Sequence, residues 1–197
     1  MGKLKIGVLA LQGDFEAHCK ALERVSVQSS EIRTATDLED LAGLILPGGE
    51  STTMLKLLER ERLFEPLKQF GRWKPIFGTC AGAILLSREV VHPAQPSLGL
   101  MDLTIERNGY GRQIDSQVAR IEVGNKTAEA VFIRAPIIRR VGSNVNVLAT
   151  LDAAPVLVEE GKHLAATFHP ELSGSERIHR YFAEKVQHQI TCGASLH

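Results

Sequence analysis

A cysteine between two glycines is the first segment that could do chemistry. Cys80 lies in G-T-C-A-G at residues 78–82, directly after the apolar residues 75–77. This is the spacing of a nucleophile elbow, in which flanking glycines relieve the crowding of a tight strand-to-helix turn. A helix that begins just after the cysteine directs free N–H groups at the sulfur and favours the thiolate. The segment predicts a nucleophile; the alternative is a small buried residue in a glycine-rich turn.

A histidine and a glutamate two residues apart could serve that cysteine. His169 and Glu171 follow the apolar run 164–168. In an extended chain their side chains point to the same side, so the carboxylate can hold one imidazole nitrogen and leave the other for a thiol. The spacing alone is common, and the alternative is a surface histidine near a glutamate. Together with Cys80, it predicts a Cys–His–Glu triad.

A pair of glycines follows the apolar residues 44–46. Gly48 and Gly49 precede Glu50 and Ser51, and Ser51 is expected to cap the next helix. A phosphate-binding loop is disfavoured, because no Gly-Lys-Ser/Thr follows and Glu50 would oppose a phosphate. Adjacent glycines suit an oxyanion hole, and Glu50 suits a substrate that carries an ammonium group. A plain turn with a helix cap is the alternative.

Two arginines are candidate ligand-binding residues: Arg107 lies in a segment rich in hydrogen-bonding groups, and Arg134 lies among apolar neighbours, which suggests a positioned guanidinium. Arg107 begins R-N-G-Y-G-R-Q at residues 107–113, and Arg134 lies in F-I-R-A-P at residues 132–136. The G-Y-G within the first segment is no dinucleotide fingerprint, since no helix follows it and the third glycine is missing. Single arginines are more often solvated or paired than ligand-binding. Histidines such as His163 and His179 show no partner pattern.

The elements that must position these residues alternate between strand and helix in the first half of the chain. Strands are predicted at residues 6–11, 31–35, 44–46, 75–77, 103–106, 117–123, 130–133, 146–150, 155–159 and 164–168. Helices are predicted at residues 14–25, from 51 onward, at 83–87 and at 175–189. The pattern predicts an α/β fold, with a largely parallel twisted sheet flanked by helices and an added antiparallel section. Ligands bind beyond the carboxyl ends of strands in such folds.

Composition limits the classes of function that remain. The chain has 197 residues, with 23 basic and 23 acidic side chains and three cysteines. We expect one domain over residues 1–190 and a flexible tail over 191–197. The charge balance argues against a nucleic-acid or anionic-membrane partner, and no long apolar run predicts a membrane span. The few scattered cysteines predict neither disulfides nor a metal site, no motif calls for a cofactor, and the chain is expected to be cytoplasmic.

Taken together, these segments resemble class I glutamine amidotransferases, and among them the glutaminase subunits of pyridoxal 5′-phosphate synthase. The segments that carry the resemblance are G-V-L-A-L-Q-G (7–13), L-P-G-G-E-S-T-T (46–53), G-T-C-A-G (78–82), E-R-N-G-Y-G-R-Q (106–113), F-I-R-A-P (132–136) and F-H-P-E-L (168–172). The second and fourth single out the subfamily. The resemblance implies a flavodoxin-like, class I amidotransferase fold.

The same resemblance implies roles for individual residues. It makes Cys80 the nucleophile, His169 the general base and acid, and Glu171 its orienting partner. The residues implied to contact glutamine are Gly48, Gly49, Glu50, Arg107, Ile133 and Arg134. Backbone N–H groups near Gly49 and Ala81 are expected to form the oxyanion hole.

The resemblance also implies a partner. Gln12 matches a loop position that becomes arranged when a barrel-fold synthase subunit docks in a hetero-oligomer and receives the ammonia. Gln117 departs from the pattern, because the family carries an aromatic residue there, and the change concerns local packing or the partner contact. Two alternatives remain open: a glutaminase subunit of another pathway, such as histidine biosynthesis, and a non-catalytic thiol sensor on the same fold.

Overall fold

The computed structural model describes residues 4–107 and 116–194, which form twelve strands and five α-helices. The strands are, in chain order, β1 (Lys5–Leu9), β2 (Gln28–Ile32), β3 (Gly43–Leu46), β4 (Ile76–Thr79), β5 (Ser87–Val91), β6 (Met101–Glu106), β7 (Ser116–Val123), β8 (Lys126–Ile133), β9 (Ile137–Val141), β10 (Val145–Leu151), β11 (Ala154–Glu160) and β12 (His163–Ala166). The helices are α1 (Phe15–Arg24), α2 (Ser51–Arg60), α3 (Phe64–Trp73), α4 (Ala81–Leu86) and α5 (Arg177–Ala194).

A seven-stranded sheet organises the chain, in the order β10–β11–β12–β4–β3–β1–β2. The five strands from β12 to β2 are parallel, whereas β10 and β11 pair in antiparallel fashion at one edge. Counted along the chain, the parallel strands follow the 2-1-3-4-5 order of flavodoxin-like folds. A three-stranded sheet (β5–β6–β9) and the β7–β8 hairpin complete the strands. The predicted fold class is confirmed.

Both faces of the central sheet are covered, which is why its inner strands β1, β3, β4 and β12 are largely apolar rather than alternating. Successive residues of a strand serve opposite faces. In β3, Leu44 and Leu46 pack into the cluster that includes Met54 of α2. Ile45 packs into the other cluster, with Leu22 of α1 and with α5. The core therefore forms two layers, one on each side of the sheet.

Several elements differ from the sequence-based prediction. The helix α3 and the strands β5 and β9 were not predicted, and α5 continues five residues beyond Gln189 to Ala194. In that last part, the Thr191 hydroxyl donates to the carbonyl of His188 (2.8 Å), as in a regular helix turn. Residues 195–197 of the expected tail lie outside the described ranges. None of the helices within those ranges is long and apolar enough to span a membrane.

Candidate active site

The predicted functional side chains meet at the carboxyl edge of the parallel strands. Gln12 follows β1, Gly48 to Glu50 follow β3, Cys80 follows β4 and His169 follows β12. Because β1, β3, β4 and β12 are neighbours in the sheet, residues far apart in sequence reach one place. This is the position expected for ligands in an open parallel sheet.

Cys80 occupies a strained turn between β4 and α4. Its φ is +48°, a value that non-glycine residues rarely adopt and that recurs at functional sites. The backbone approaches itself so closely here that a Cβ on Gly78 would lie 2.5 Å from the carbonyl carbon of Gly82, and one on Gly82 would lie 2.0 Å from the Leu46 oxygen. The flanking glycines are thus required by packing. The sulfur lies 4.0 Å from the carbonyl oxygen of Ile133.

His169 and Glu171 are bonded to each other, although not through an extended chain. His169 caps a short 3-10 turn over Pro170–Leu172, and this turn brings the Glu171 carboxylate back to the imidazole. The Nδ1 of His169 lies 2.8 Å from Oε1 of Glu171, and both side chains are buried. The backbone N–H of His169 donates to the Val131 carbonyl (2.8 Å), which ties the histidine to β8.

The surroundings of His169 favour its charged form. Burial alone would lower the pKa of the imidazole, but hydrogen bonding and charge interactions with Cys80 and Glu171 outweigh burial and raise it to about 10. These interactions favour the imidazolium form of His169, which is placed between a sulfur and a carboxylate. The imidazolium can stabilise negative charge on the Cys80 sulfur, while the Glu171 carboxylate stabilises the imidazolium from the other side.

Glu50, and not Ser51, caps α2. Its carboxylate accepts hydrogen bonds from the backbone N–H groups of Thr52 (3.1 Å) and Thr53 (2.7 Å), and from both of their hydroxyls. Arg107 adds an ion pair at 3.1 Å. Burial raises the pKa of Glu50, but the threonine hydrogen bonds lower it overall, to about 2. Ser51 instead donates from its hydroxyl to Gln95 (3.0 Å).

The glycine pair is confined by its neighbours on both sides. A Cβ on Gly48 would lie 2.3 Å from Cε1 of His169, so only glycine leaves room for the imidazole. Gly49 has a φ of +143°, a conformation that favours glycine. With its amide oriented to satisfy both partners, Gln12 donates to the Glu50 carbonyl (3.1 Å) and accepts from the Glu50 N–H (2.9 Å). Gln12 thereby clamps the segment that carries the glycines.

A cavity of about 240 Å³ opens over these groups. It is lined by Asp14, Gly49, Glu50, Ser51, Cys80, Ile84, Arg107, Ile133, Arg134 and His169. This volume suits a metabolite smaller than a drug-sized ligand. A larger cavity of about 620 Å³ lies between the β7–β8 turn and α5, and its described lining includes neither cysteine nor histidine.

The cavity places each predicted binding residue differently. Arg107 and Glu50 are paired, Ile133 is half-buried, and Arg134 is exposed with a φ of +43°. Ala81 is fully buried at the start of α4, behind Cys80, and does not line the cavity. Of the segment 107–113, only Arg107 lies within the described residues. Gln117 is half-buried and pairs with Phe132 across the β7–β8 hairpin.

One group of donors within the described ranges comes close enough to share a cation. Ligand atoms of Asp14, His169 and Glu171 all lie within 4.8 Å of one another. His169 Nδ1 and Glu171 Oε1 already share a hydrogen bond, however, and a histidine must lose its proton to bind a metal.

Sequence reasoning missed the residues behind the triad. His18 of α1 lies 3.3 Å from Glu171 Oε2 and 3.2 Å from the Thr79 hydroxyl. His179 of α5, for which no partner was predicted, lies 2.8 Å from His18. The one available signal was a histidine on the apolar face of α1, since 161 residues separate the two imidazoles. Asp14, which lines the cavity, was also missed.

Comparison with solved structures defines the class of protein. A structure described as glutamine amidotransferase superposes with a TM-score of 0.88 at 47% identity and covers 92% of this chain and 98% of its own. A protein from Thermoplasma acidophilum, described as a putative component of GMP synthase, has a TM-score of 0.73 at 17% identity. That comparison covers 98% of this chain and 99% of the other, and it shows that the two share the fold.

Sequence comparison places the chain more narrowly. It is 55% identical over 190 residues to the pyridoxal 5′-phosphate synthase subunit PdxT of Solibacter usitatus, which covers 92% of this chain and 99% of that protein. It is 50% identical to PdxT of Pelotomaculum thermopropionicum, with 92% and 95% covered. The SNO glutamine amidotransferase family matches residues 8–188. The chain belongs to this family, which confirms the resemblance found in the sequence and the enzyme class that it implies.

Proposed function

We propose that the protein is a glutaminase that hydrolyses L-glutamine to L-glutamate and ammonia through Cys80, His169 and Glu171. The observation that carries the proposal is the position of His169, which is hydrogen-bonded to Glu171 at 2.8 Å and interacts with Cys80 at the wall of one small cavity. An imidazolium next to a cysteine sulfur stabilises the thiolate, which is the nucleophilic form.

The reaction follows from these positions. The Cys80 sulfur attacks the side-chain amide carbon of glutamine. Two backbone N–H groups are proposed to stabilise the oxyanion: that of Gly49, which lines the cavity, and that of Ala81, which is next to Cys80 at the start of α4. His169 transfers its proton to the leaving nitrogen, and the C–N bond breaks. Ammonia departs, and the glutamyl group remains bound to Cys80 as a thioester. Water, deprotonated by His169, then attacks the thioester and releases glutamate and the sulfur. Loss of one oxyanion donor is expected to cost about 3–4 kcal/mol of transition-state stabilisation.

Charged groups around the cavity fit the amino-acid end of glutamine. Glu50 carries a negative charge that can face the α-ammonium group, while Arg107 and Arg134 supply positive charge for the α-carboxylate. Gly49 and Ile133, which line the cavity, shape its wall around the side-chain amide, and Gly48, which lies against the His169 ring, is proposed to contact the substrate through its backbone. A small zwitterion thus meets charges of both signs within one cavity.

The ammonia is proposed to pass to the barrel-fold subunit of pyridoxal 5′-phosphate synthase, with which this chain forms a hetero-oligomer. Support comes from the relatives named as subunits of that synthase, which the chain matches over nearly its whole length. Because Gln12 is hydrogen-bonded to the backbone of Glu50, docking of the synthase subunit near Gln12 can change the conformation of the glycine loop. The three free cysteines suit the reducing cytoplasm.

Glutamate release tests the proposal. The chain is assayed with L-glutamine, with and without the synthase subunit, and the wild type is compared with Cys80→Ala and Cys80→Ser. Both variants are expected to lose turnover, whereas Cys19→Ala and Cys192→Ser, which remove the other free thiols, are expected to keep it. Turnover by Cys80→Ala equal to the wild type would overturn the assignment.

The same assay separates the two alternatives. A glutaminase of another pathway would respond to a different synthase and not to the pyridoxal 5′-phosphate synthase subunit. A thiol sensor would release no glutamate under any condition, and Cys80 would form no covalent adduct with a glutamine-analogue electrophile. An adduct on Cys80 together with stimulation by the synthase subunit supports the proposal.

A further inference from the structure

A buried chain of imidazoles extends from the triad into the core. His18 Nδ1 lies 2.8 Å from His179 Nε2, and His18 Nε2 lies 3.2 Å from the Thr79 hydroxyl and 3.3 Å from Glu171 Oε2. His18 and His179 are both fully buried. These two histidines connect α1 and α5 to Thr79, which precedes Cys80, and to Glu171, which is bonded to His169.

The groups around His18 favour one of its two neutral tautomers. Burial, then the nearby His179 and His169, lower the pKa of His18 well below 6.5, so the ring is neutral at neutral pH and has a single N–H. A carboxylate oxygen 3.3 Å from Nε2 favours that proton on Nε2. His18 Nδ1 is then an acceptor and takes the N–H of His179 Nε2, whose ring is also neutral because burial lowers its pKa to about 4.

The Glu171 carboxylate depends on this arrangement. One oxygen accepts from His169, while the other lies within ion-pair distance of His18 but receives no well-aligned hydrogen bond from any described residue. The His18 Nε2 is hydrogen-bonded to Thr79, and because Glu171 Oε2 lies at nearly the same distance, a small rotation of the ring aligns the N–H with the carboxylate. A buried carboxylate oxygen without a donor is costly and leaves the group free to turn.

We infer that His18, held by His179, is a positioning residue of the triad, which presents an N–H to Glu171 and thereby fixes the carboxylate oxygen that faces His169. The inference rests on the proposed function for its kinetic consequence, although its structural consequence concerns the His169–Glu171 pair alone. Neither His18 nor His179 lines the cavity, so both act on the reaction through Glu171.

Substitutions at His18 separate its two hydrogen bonds. In His18→Gln, the amide N–H occupies the region of Nε2 and keeps the bond to Glu171. In His18→Asn, the shorter amide replaces Nδ1 and reaches only His179, and His18→Leu removes both bonds. His163→Asn is the matched control, because His163 is also a buried histidine but its Nδ1 accepts from the backbone N–H of Ile76, away from the triad.

Two measurements test the inference. With the synthase subunit present, His18→Leu and His18→Asn are expected to reduce kcat for glutamine about 10- to 100-fold with little change in KM, while His18→Gln restores most of it. In the isolated chain, an NMR titration of the His169 ring should show its pKa fall from about 10 by one pH unit or more in the Leu and Asn variants, but not in His18→Gln or His163→Asn.

The outcomes separate the inference from the proposed function. An unchanged His169 titration in His18→Asn, or an equal change in His163→Asn, would overturn the positioning role. If His18→Leu does not fold, the contrast between the Gln and Asn variants still decides the question. If neither the wild type nor any variant releases glutamate but the His169 titration shifts as expected, the proposed function fails and the positioning role of His18 stands.

Discussion

Two carboxylates of the candidate site, Glu171 and Glu50, are held in opposite ways. The Glu171 side chain is 0% exposed and meets imidazoles, one at each oxygen. The Glu50 side chain is 45% exposed and meets backbone N–H groups, two hydroxyls and a guanidinium. The first is fixed by burial with few partners, the second by many partners at the protein surface.

This contrast indicates that Glu171 and Glu50 have different roles in the proposed reaction. Electrostatic interactions strengthen as water is excluded, so Glu171 can control the charge of His169 over a single hydrogen bond. Glu50 is surrounded by solvent and donors, so its charge is stable but water screens its effect on neighbouring groups. We therefore expect changes at Glu171 to act on the chemical step and changes at Glu50 to act on substrate binding.

Glu171→Gln should give the largest effect. The amide keeps the size of the side chain but removes the charge that stabilises the imidazolium, and kcat is expected to fall about 10³- to 10⁴-fold with KM nearly unchanged. Steady-state glutamate release measures both constants. Glu61→Gln, which changes a surface ion pair with Arg60 at the end of α2, is the control. A rise in KM at constant kcat would show that Glu171 and Glu50 do not divide the work in this way.

Gly48→Ala should have the next largest effect. The added methyl group would lie 2.3 Å from the His169 ring, so the ring must move away from its place near Cys80, and a shift of about 1 Å can cost about 100-fold in kcat. Gly174→Ala is the control, because its Cβ would have no atom within 4 Å. Equal rates for both variants would argue that the imidazole position is not critical.

Substitutions at Glu50 test the other side of the comparison. Glu50→Asp keeps a good helix cap but withdraws the charge from the cavity, and KM is expected to rise about tenfold with the melting temperature nearly unchanged. Glu50→Ala also removes the cap, which should lower the melting temperature by about 2–4 °C. A fall in kcat without a rise in KM would contradict a binding role for Glu50.

The contributions of His169 and Glu50 to the stability of the folded protein should also be lost at opposite ends of the pH scale. The folded pKa of His169 is raised to about 10, so its contribution is complete below pH 6.5 and is lost as the pH rises through about 10. That of Glu50 is lowered to about 2, so its contribution is complete above pH 4.5 and is lost as the pH falls through about 2.

Urea unfolding measured across the pH range checks this expectation. Glu171→Gln should reduce the loss of unfolding free energy at alkaline pH by at most a few kcal/mol. Glu50→Gln should change the loss of unfolding free energy at acid pH by about 1 kcal/mol or less, because solvent screens the Glu50 charge. His163→Asn should leave the alkaline decline as it is in the wild type. An alkaline decline that Glu171→Gln does not alter would disprove the coupling between His169 and Glu171.

The parts of the fold that sequence predicts are those with a local signal. The apolar run before Cys80 and the glycines beside it identify β4 and the turn, because strand burial and close backbone approach leave little choice of residue there. The helix α3 was missed because Pro66 suggests a break, although proline is tolerated in the first turn of a helix. The strand β9 was missed because Arg139 and Arg140 interrupt its apolar pattern.

The same distinction applies to the site. His169 and Glu171 stand two residues apart, so their contact was predictable, even though a 3-10 turn and not a strand achieves it. Glu50 was expected to bind an ammonium group, but its role as the cap of α2 depends on hydroxyls two and three residues further on reaching back. The contact of His18 with His179 joins two helices through the tertiary fold, and no local pattern encodes it.

The place of β12 in the sheet has a consequence for biosynthesis. This strand lies between β4 and β11 and carries His169 beyond its end, so it must insert beside β4 before Cys80 meets an imidazole. A ribosome that has joined the residues up to the end of β11 has produced Cys80, the proposed nucleophile, with the glycine loop and both arginines, but not His169, the proposed general base. The proposed activity therefore becomes possible only late in synthesis, and a chain that ends before β12 contains Cys80 without its proposed base.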